Sequence, residues 1–147
     1  MLRMIAAVAL VLSASALADD GDMRDKLIGS WKGDAASSKD AMAYTLEWSD
    51  DGMKISRTTG SKTVAQFYCK MATECEIKDS GHSAKVTLYF NGPKLVENET
   101  IGSHVVRRRF TVTGDGNTLE LETIPIEPEG KTETATFKRV TTTTAKQ

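Results

Sequence analysis

The sequence predicts an all-β domain of antiparallel hairpins, a sandwich or a barrel of about eight to ten short strands. Three observations carry this. Threonine occurs 18 times in 147 residues, against three prolines and eleven glycines, and threonine suits the half-buried surface of a strand. Turn pairs recur at short, fairly even intervals: Asp51-Gly52, Thr59-Gly60, Ser80-Gly81, Asn91-Gly92, Asp115-Gly116 and Glu129-Gly130. Glycine in such pairs supplies the positive φ of a tight hairpin turn. Between the turns, apolar and polar residues alternate with a period of two, the pattern of an antiparallel sheet with one wet face.

The elements follow in chain order. Residues 1–18, MLRMIAAVALVLSASALA, have the form of an export leader, with Arg3 in a short basic start and a nine-residue apolar run over 4–12. Ala16-Leu17-Ala18 fits a small-x-small cleavage site before Asp19. Nine residues rise only about 14 Å as a helix, roughly half the thickness of a bilayer core. The reading is a signal peptide at 1–18 and a soluble product in the periplasm or the medium, in a bacterial style of export. Helical signal elsewhere is weak and confined to 22–27 and 37–42, where Ser37-Ser38 could cap the second stretch.

Strands are expected near 27–33, 42–49, 53–58, 63–69, 75–79, 84–90, 94–101, 104–113, 117–124 and 131–140. Tyr44, Leu46 and Trp48 share one face; Met53 and Ile55 follow on the next strand. Val86, Leu88 and Phe90 form another apolar stripe, as do Val106, Phe110 and Val112, Leu119 and Leu121, and Ala135 and Phe137. The domain is read as 19–140, with a frayed polar tail at 141–147.

Composition excludes several classes. Removing the leader leaves 18 basic and 20 acidic residues, which argues against a binder driven by phosphate neutralisation. No further segment is apolar enough to cross a membrane, so neither nucleic acid nor membrane is an expected partner. Cys69 and Cys75 are too few for a disulfide scaffold or an all-cysteine zinc site. In an oxidising compartment they read as one disulfide across a small hairpin loop, the alternative being a reactive or metal-binding thiol pair.

Leu27-Ile28-Gly29-Ser30-Trp31-Lys32 stands just inside the expected mature start, and Phe137-Lys138-Arg139-Val140 near the end. A Gly-x-Trp followed by many hairpin-linked strands resembles the lipocalin-like (calycin) barrels. That resemblance implies an antiparallel up-and-down barrel in which Gly29 and Trp31 close one end, with Arg139 of the last strand stacked on the indole. The chain is also similar to a group of small secreted bacterial proteins of unassigned function. The matching motifs are Gly29-Ser30-Trp31-Lys32, Ala36-Ser37-Ser38-Lys39, Asp51-Gly52-Met53-Lys54 and Asp115-Gly116-Asn117-Thr118-Leu119. The cysteine pair lies outside that pattern. The resemblance implies a fold and no catalytic residues.

Candidate sites are few. His82 and His104 lack close ligand spacing, so no metal site is expected. No nucleophile elbow or nucleotide-binding glycine loop occurs, so no cofactor and no enzymatic activity are expected. Glu97 and Glu99 alternate on one strand, and Glu120 and Glu122 on another; both pairs read as exposed β faces. Arg108 stands out, because alternation puts it on the face of Val106, Phe110 and Val112. A guanidinium there needs an anion: a ligand head group, an internal glutamate, or water at the rim. Arg108, Tyr44 and Trp48 are therefore the expected ligand-binding residues of a non-enzymatic barrel that holds a small apolar or amphipathic molecule. The alternative is a filled barrel that contacts a protein partner, in the manner of a secreted protease inhibitor. Composition does not decide between a hollow and a filled barrel.

Overall fold

The computed structural model describes residues 20–33 and 41–141. The leader expected at 1–18, the tail beyond 141 and residues 37–40 of the helix expected at 37–42 lie outside these residues. Met42 itself begins a strand.

A short helix, α1 (Asp20–Asp25), precedes ten strands. They are β1 (Gly29–Gly33), β2 (Met42–Ser49), β3 (Gly52–Thr59), β4 (Lys62–Lys70), β5 (Cys75–Asp79), β6 (His82–Asn91), β7 (Lys94–Ile101), β8 (His104–Val112), β9 (Thr118–Glu127) and β10 (Glu133–Arg139). The ladder runs β4-β3-β2-β1-β10-β9-β8-β7-β6-β5, antiparallel throughout. Strands consecutive in sequence pair with one another except β4 and β5, and β1 closes on β10 with Trp31 opposite Arg139. The result is a nearly closed up-and-down barrel of ten strands, at the top of the range expected.

Alternation selects the inner face. Tyr44, Leu46, Met53, Ile55, Val86, Leu88, Phe110, Val112, Leu119, Leu121 and Phe137 are buried in one core. Ala135 departs from this reading and is exposed, because β1 ends at Gly33, opposite Phe137, and does not flank the start of β10. Rings also meet across the interior. Tyr44 on β2 packs edge-on against Phe110 on β8 at 5.2 Å and Phe137 on β10 at 5.5 Å between centroids. Three strands stand between β2 and β8 in the ladder, so this contact spans the barrel and fills it at that level.

One end is shut by the residues of the Gly-x-Trp segment. Trp31 is fully buried and donates from Nε1 to the Leu27 carbonyl at 2.9 Å. The Arg139 guanidinium lies 4.2 Å from the indole centroid. It donates to the Ile28 carbonyl at 2.8 Å, to the Gly116 carbonyl at 2.9 and 3.0 Å, and to the Lys26 carbonyl. Gly29, at φ +135°, faces this guanidinium so closely that an added Cβ would lie 2.7 Å from Nη1. α1 lies at the same end, where Arg24 donates to the Gly92 carbonyl at 2.8 Å and covers the Phe90 ring.

The barrel wall has one seam. No ladder joins β4 to β5 among the described residues. A disulfide between Cys69 and Cys75 crosses the seam with Cα atoms 5.9 Å apart. Nearer the other end, the Ser80 amide donates to the Val64 carbonyl at 2.8 Å and Arg57 of β3 pairs with Asp79 of β5. Gly52 serves this wall rather than a turn: it opens β3, and a Cβ there would lie 2.3 Å from the Cys69 carbonyl oxygen. The left-handed residue of that hairpin is Asp50.

Candidate functional site: a charge cluster inside the barrel

Four of the inner apolar stripes carry charge as they move away from the Trp31 end. On β3 the run Met53, Ile55 continues to Arg57; on β5 Ile77 leads to Asp79; on β7 Leu95 leads to Glu97 and Glu99; on β8 Val112 and Phe110 lead to Arg108. Register brings these positions together, with Glu97 opposite Arg108 on β7 and β8 and Arg57 opposite Tyr44 on β3 and β2.

The side chains pair fully. Arg108 Nη1 donates to Glu97 Oε1 at 2.7 Å and to Glu99 Oε1 at 3.0 Å. Both glutamates are only 3% exposed, and Arg108 is 14% exposed. Arg57 donates to Asp79 and stands opposite Tyr44 on the neighbouring strand. Asp79 and Glu99 share a hydrogen bond, which two carboxyl groups can make only if one keeps its proton. Burial chiefly pushes the Glu99 carboxyl up to about 7, and its bond to Asp79 adds to the rise. Asp79 shifts the other way: burial opposes its charge, but Glu99 and Arg57 donate to it and hold its carboxyl below the usual range. Glu99 is therefore the donor of the pair. Burial also opposes the charge on Arg108, yet the Glu97 and Glu99 carboxyl groups around it keep the guanidinium firmly charged. Tyr44 is held neutral by its burial. No buried side-chain nitrogen or oxygen lacks a partner among the described residues.

Arg108 and Tyr44 thus meet at one layer, where Tyr44 joins the charges to the aromatic contacts with Phe110 and Phe137. Trp48 does not join them. It stands four residues along β2, about 13 Å away at strand rise, is 42% exposed, and leans on Phe90 near α1 with centroids 5.7 Å apart. The strand-end position gives Trp48 the inward parity without the burial.

Glu97 and Glu99 correct the reading of an exposed acidic face. Leu95 and Ile101 flank them on the same parity, and that apolar frame was the signal that they point inward. Arg57 and Asp79 were reachable by extending their stripes one step. Glu120 is exposed and Glu122 half-buried near Arg109, in line with an outer face. His82 and His104 are both exposed, and no group of metal-ligating side chains occurs among the described residues. Two solvent-open depressions lie on the outer wall, one of about 440 Å³ beside Thr45, Lys54, Gln66 and Tyr68, the other of about 360 Å³ beside Glu76, Lys85 and Thr100.

No family model matches the chain, and no curated protein does. Solved structures do. A Schistosoma mansoni fatty acid binding protein in complex with arachidonic acid has a TM-score of 0.67 at 16% identity, over 81% of this chain and 99% of that one. Fatty-acid-binding protein 1 of Echinococcus granulosus has a TM-score of 0.66 at 11% identity, over 80% and 99%. A secretory abundant heat soluble protein of Ramazzottius varieornatus has a TM-score of 0.64 at 14% identity, over 78% and 96%. At these identities the likeness is one of fold, and the chain is similar in fold to calycin-type up-and-down β-barrels.

Proposed function

We propose that the protein is a non-enzymatic binder of a small apolar or amphipathic molecule, taken up at the end of the barrel opposite Trp31. The observation that carries this reading is the layering of the inner face. A paired polar layer around Arg108 and Tyr44 lies beneath an apolar rim. Met42, Ile101, Val106 and Pro125 continue the inward parity past the charges toward that rim, and none of them is fully buried. An amphiphile with a hydrogen-bonding head and an apolar body fits such layering. Two of the fold neighbours are fatty-acid-binding proteins, which agrees with it.

Export to the periplasm or the medium completes the proposal, supported by the leader-like residues 1–18 and by the Cys69–Cys75 disulfide.

The test is displacement of an environment-sensitive apolar fluorophore from the purified protein by straight-chain amphiphiles, with native mass spectrometry of the untreated protein. Saturable displacement at one ligand per chain is expected. Absence of saturable displacement, with no copurified small molecule, would overturn the reading.

A second reading has its own support in the cross-barrel contact of Tyr44 with Phe110, which fills the interior at that level. A filled barrel would act through its outer surface on a protein partner, as a protease inhibitor does. It gains if no small molecule binds.

A further inference from the structure

The charge layer also bears on which head group the barrel accepts, an inference that rests on the ligand-binding reading above. A lone guanidinium on an inner barrel wall would recruit an anion, because an unpaired buried charge is costly. Arg108 is not alone. Glu97 and Glu99 take its Nη1 at 2.7 and 3.0 Å, and Asp79 takes Arg57. Two guanidinium groups therefore face three carboxyl groups, and the acids are fixed to β5 and β7 rather than to a ligand. We propose that Glu97 and Glu99 are specificity-determining residues that make the interior accept an uncharged amphiphile with a hydrogen-bond-donating head, such as an alcohol, and reject a carboxylate.

The physical reason is charge balance in a poorly hydrated space. With every carboxyl ionised, the layer would carry one net negative charge. The chain avoids that state by leaving a proton between Asp79 and Glu99. A ligand carboxylate would be a fourth acid beside two cations, and at the short distances of this layer its repulsion is weakly screened. It could reach Arg108 only by displacing Glu97 or Glu99, each 3% exposed and left without its partner. A hydroxyl head avoids both costs. Carboxylates are acceptors with spare lone pairs, so a neutral donor finds partners without adding charge.

The experiment compares decanol and decanoate, matched in chain length, by fluorophore displacement at pH 6, where Glu99 keeps its proton and decanoate is ionised. The wild-type protein is expected to bind decanol at least tenfold more tightly than decanoate. In the double variant Glu97→Gln/Glu99→Gln the two guanidinium groups face Asp79 alone, and decanoate affinity is expected to rise at least tenfold while decanol changes little. The single variants Glu97→Gln and Glu99→Gln, each expected to give a smaller gain for decanoate, serve if the double variant does not fold. Equal binding of the two ligands by the wild type, or no gain for decanoate in any folded variant, would overturn this inference and leave the ligand-binding reading standing. Failure of both ligands to bind the wild type would overturn that reading, and this inference with it.

Discussion

At the residue scale, Glu99 makes the protein's stability depend on pH in a direction opposite to that of its neighbour Asp79. Its folded value is about 7 against an ordinary 4.5, so between those values the folded chain holds a proton that the unfolded chain has lost. The contribution from this group is complete below roughly pH 4.5 and is lost as pH rises through 7. Asp79 has the opposite sign: its lowered value favours folding above the ordinary range and the benefit is lost on acidification. Arg57, Arg108, Glu97 and Tyr44 are the other charged or titratable groups of the layer. The urea midpoint is expected to fall between pH 5 and 8, and Glu99→Gln is expected to flatten that fall; an unchanged slope in the variant would contradict the assignment. Arg139 sets a second residue-scale expectation. Arg139→Ala removes the stack on Trp31 and donors to three carbonyls, at a cost of about 3 kcal/mol. Arg139→Lys is expected to recover little of it, because an ammonium lacks the planar fork. Urea melts of the two variants check both statements. The Arg139 partnership was legible only through the resemblance of the Gly29-Ser30-Trp31 segment and the final strand to calycin barrels. The glutamates were not, because two acids on one strand face usually mean solvent.

At the element scale, the strands were the most legible feature, and their limits differ from the observed ones by no more than three residues. Alternation and glycine turns are local signals, so they survive without knowledge of tertiary contacts. The seam between β4 and β5 was not legible, since nothing local distinguishes a hairpin that ladders from one that does not. The cysteines hinted at it only through their spacing. Their bond closes a short loop, and loop-closure entropy gives it about 2 kcal/mol. Removing it with Cys69→Ser/Cys75→Ser is expected to lower stability by that order and to expose the free edges of β4 and β5, which are templates for association with other chains. Chemical denaturation and light scattering of the variant measure the two effects; a variant as stable and as monomeric as the wild type would show that the seam needs no covalent closure.

At the scale of the whole molecule, closure of the sheet and order along the chain are out of step. β1 and β10 are hydrogen-bonded through Trp31 and Arg139, while the one interruption of the ladder falls in mid-chain, between β4 and β5. The fold class could be read from composition and rhythm, but the site of the interruption depends on contacts among strands far apart in sequence. That offset suits the molecule to circular permutation. A linker that crosses the Trp31 end of the barrel, from the end of β10 to the start of α1 beside Gly92, would join those elements, and new ends placed within 71–74 would fall where no ladder is cut. Cys69 and Cys75 would then lie near opposite ends of the new chain, and their disulfide would turn it into a covalent ring. Such a permutant is expected to keep the wild-type circular dichroism spectrum and to lose more stability on reduction than the native order does, because the bond would close a loop of nearly the whole chain.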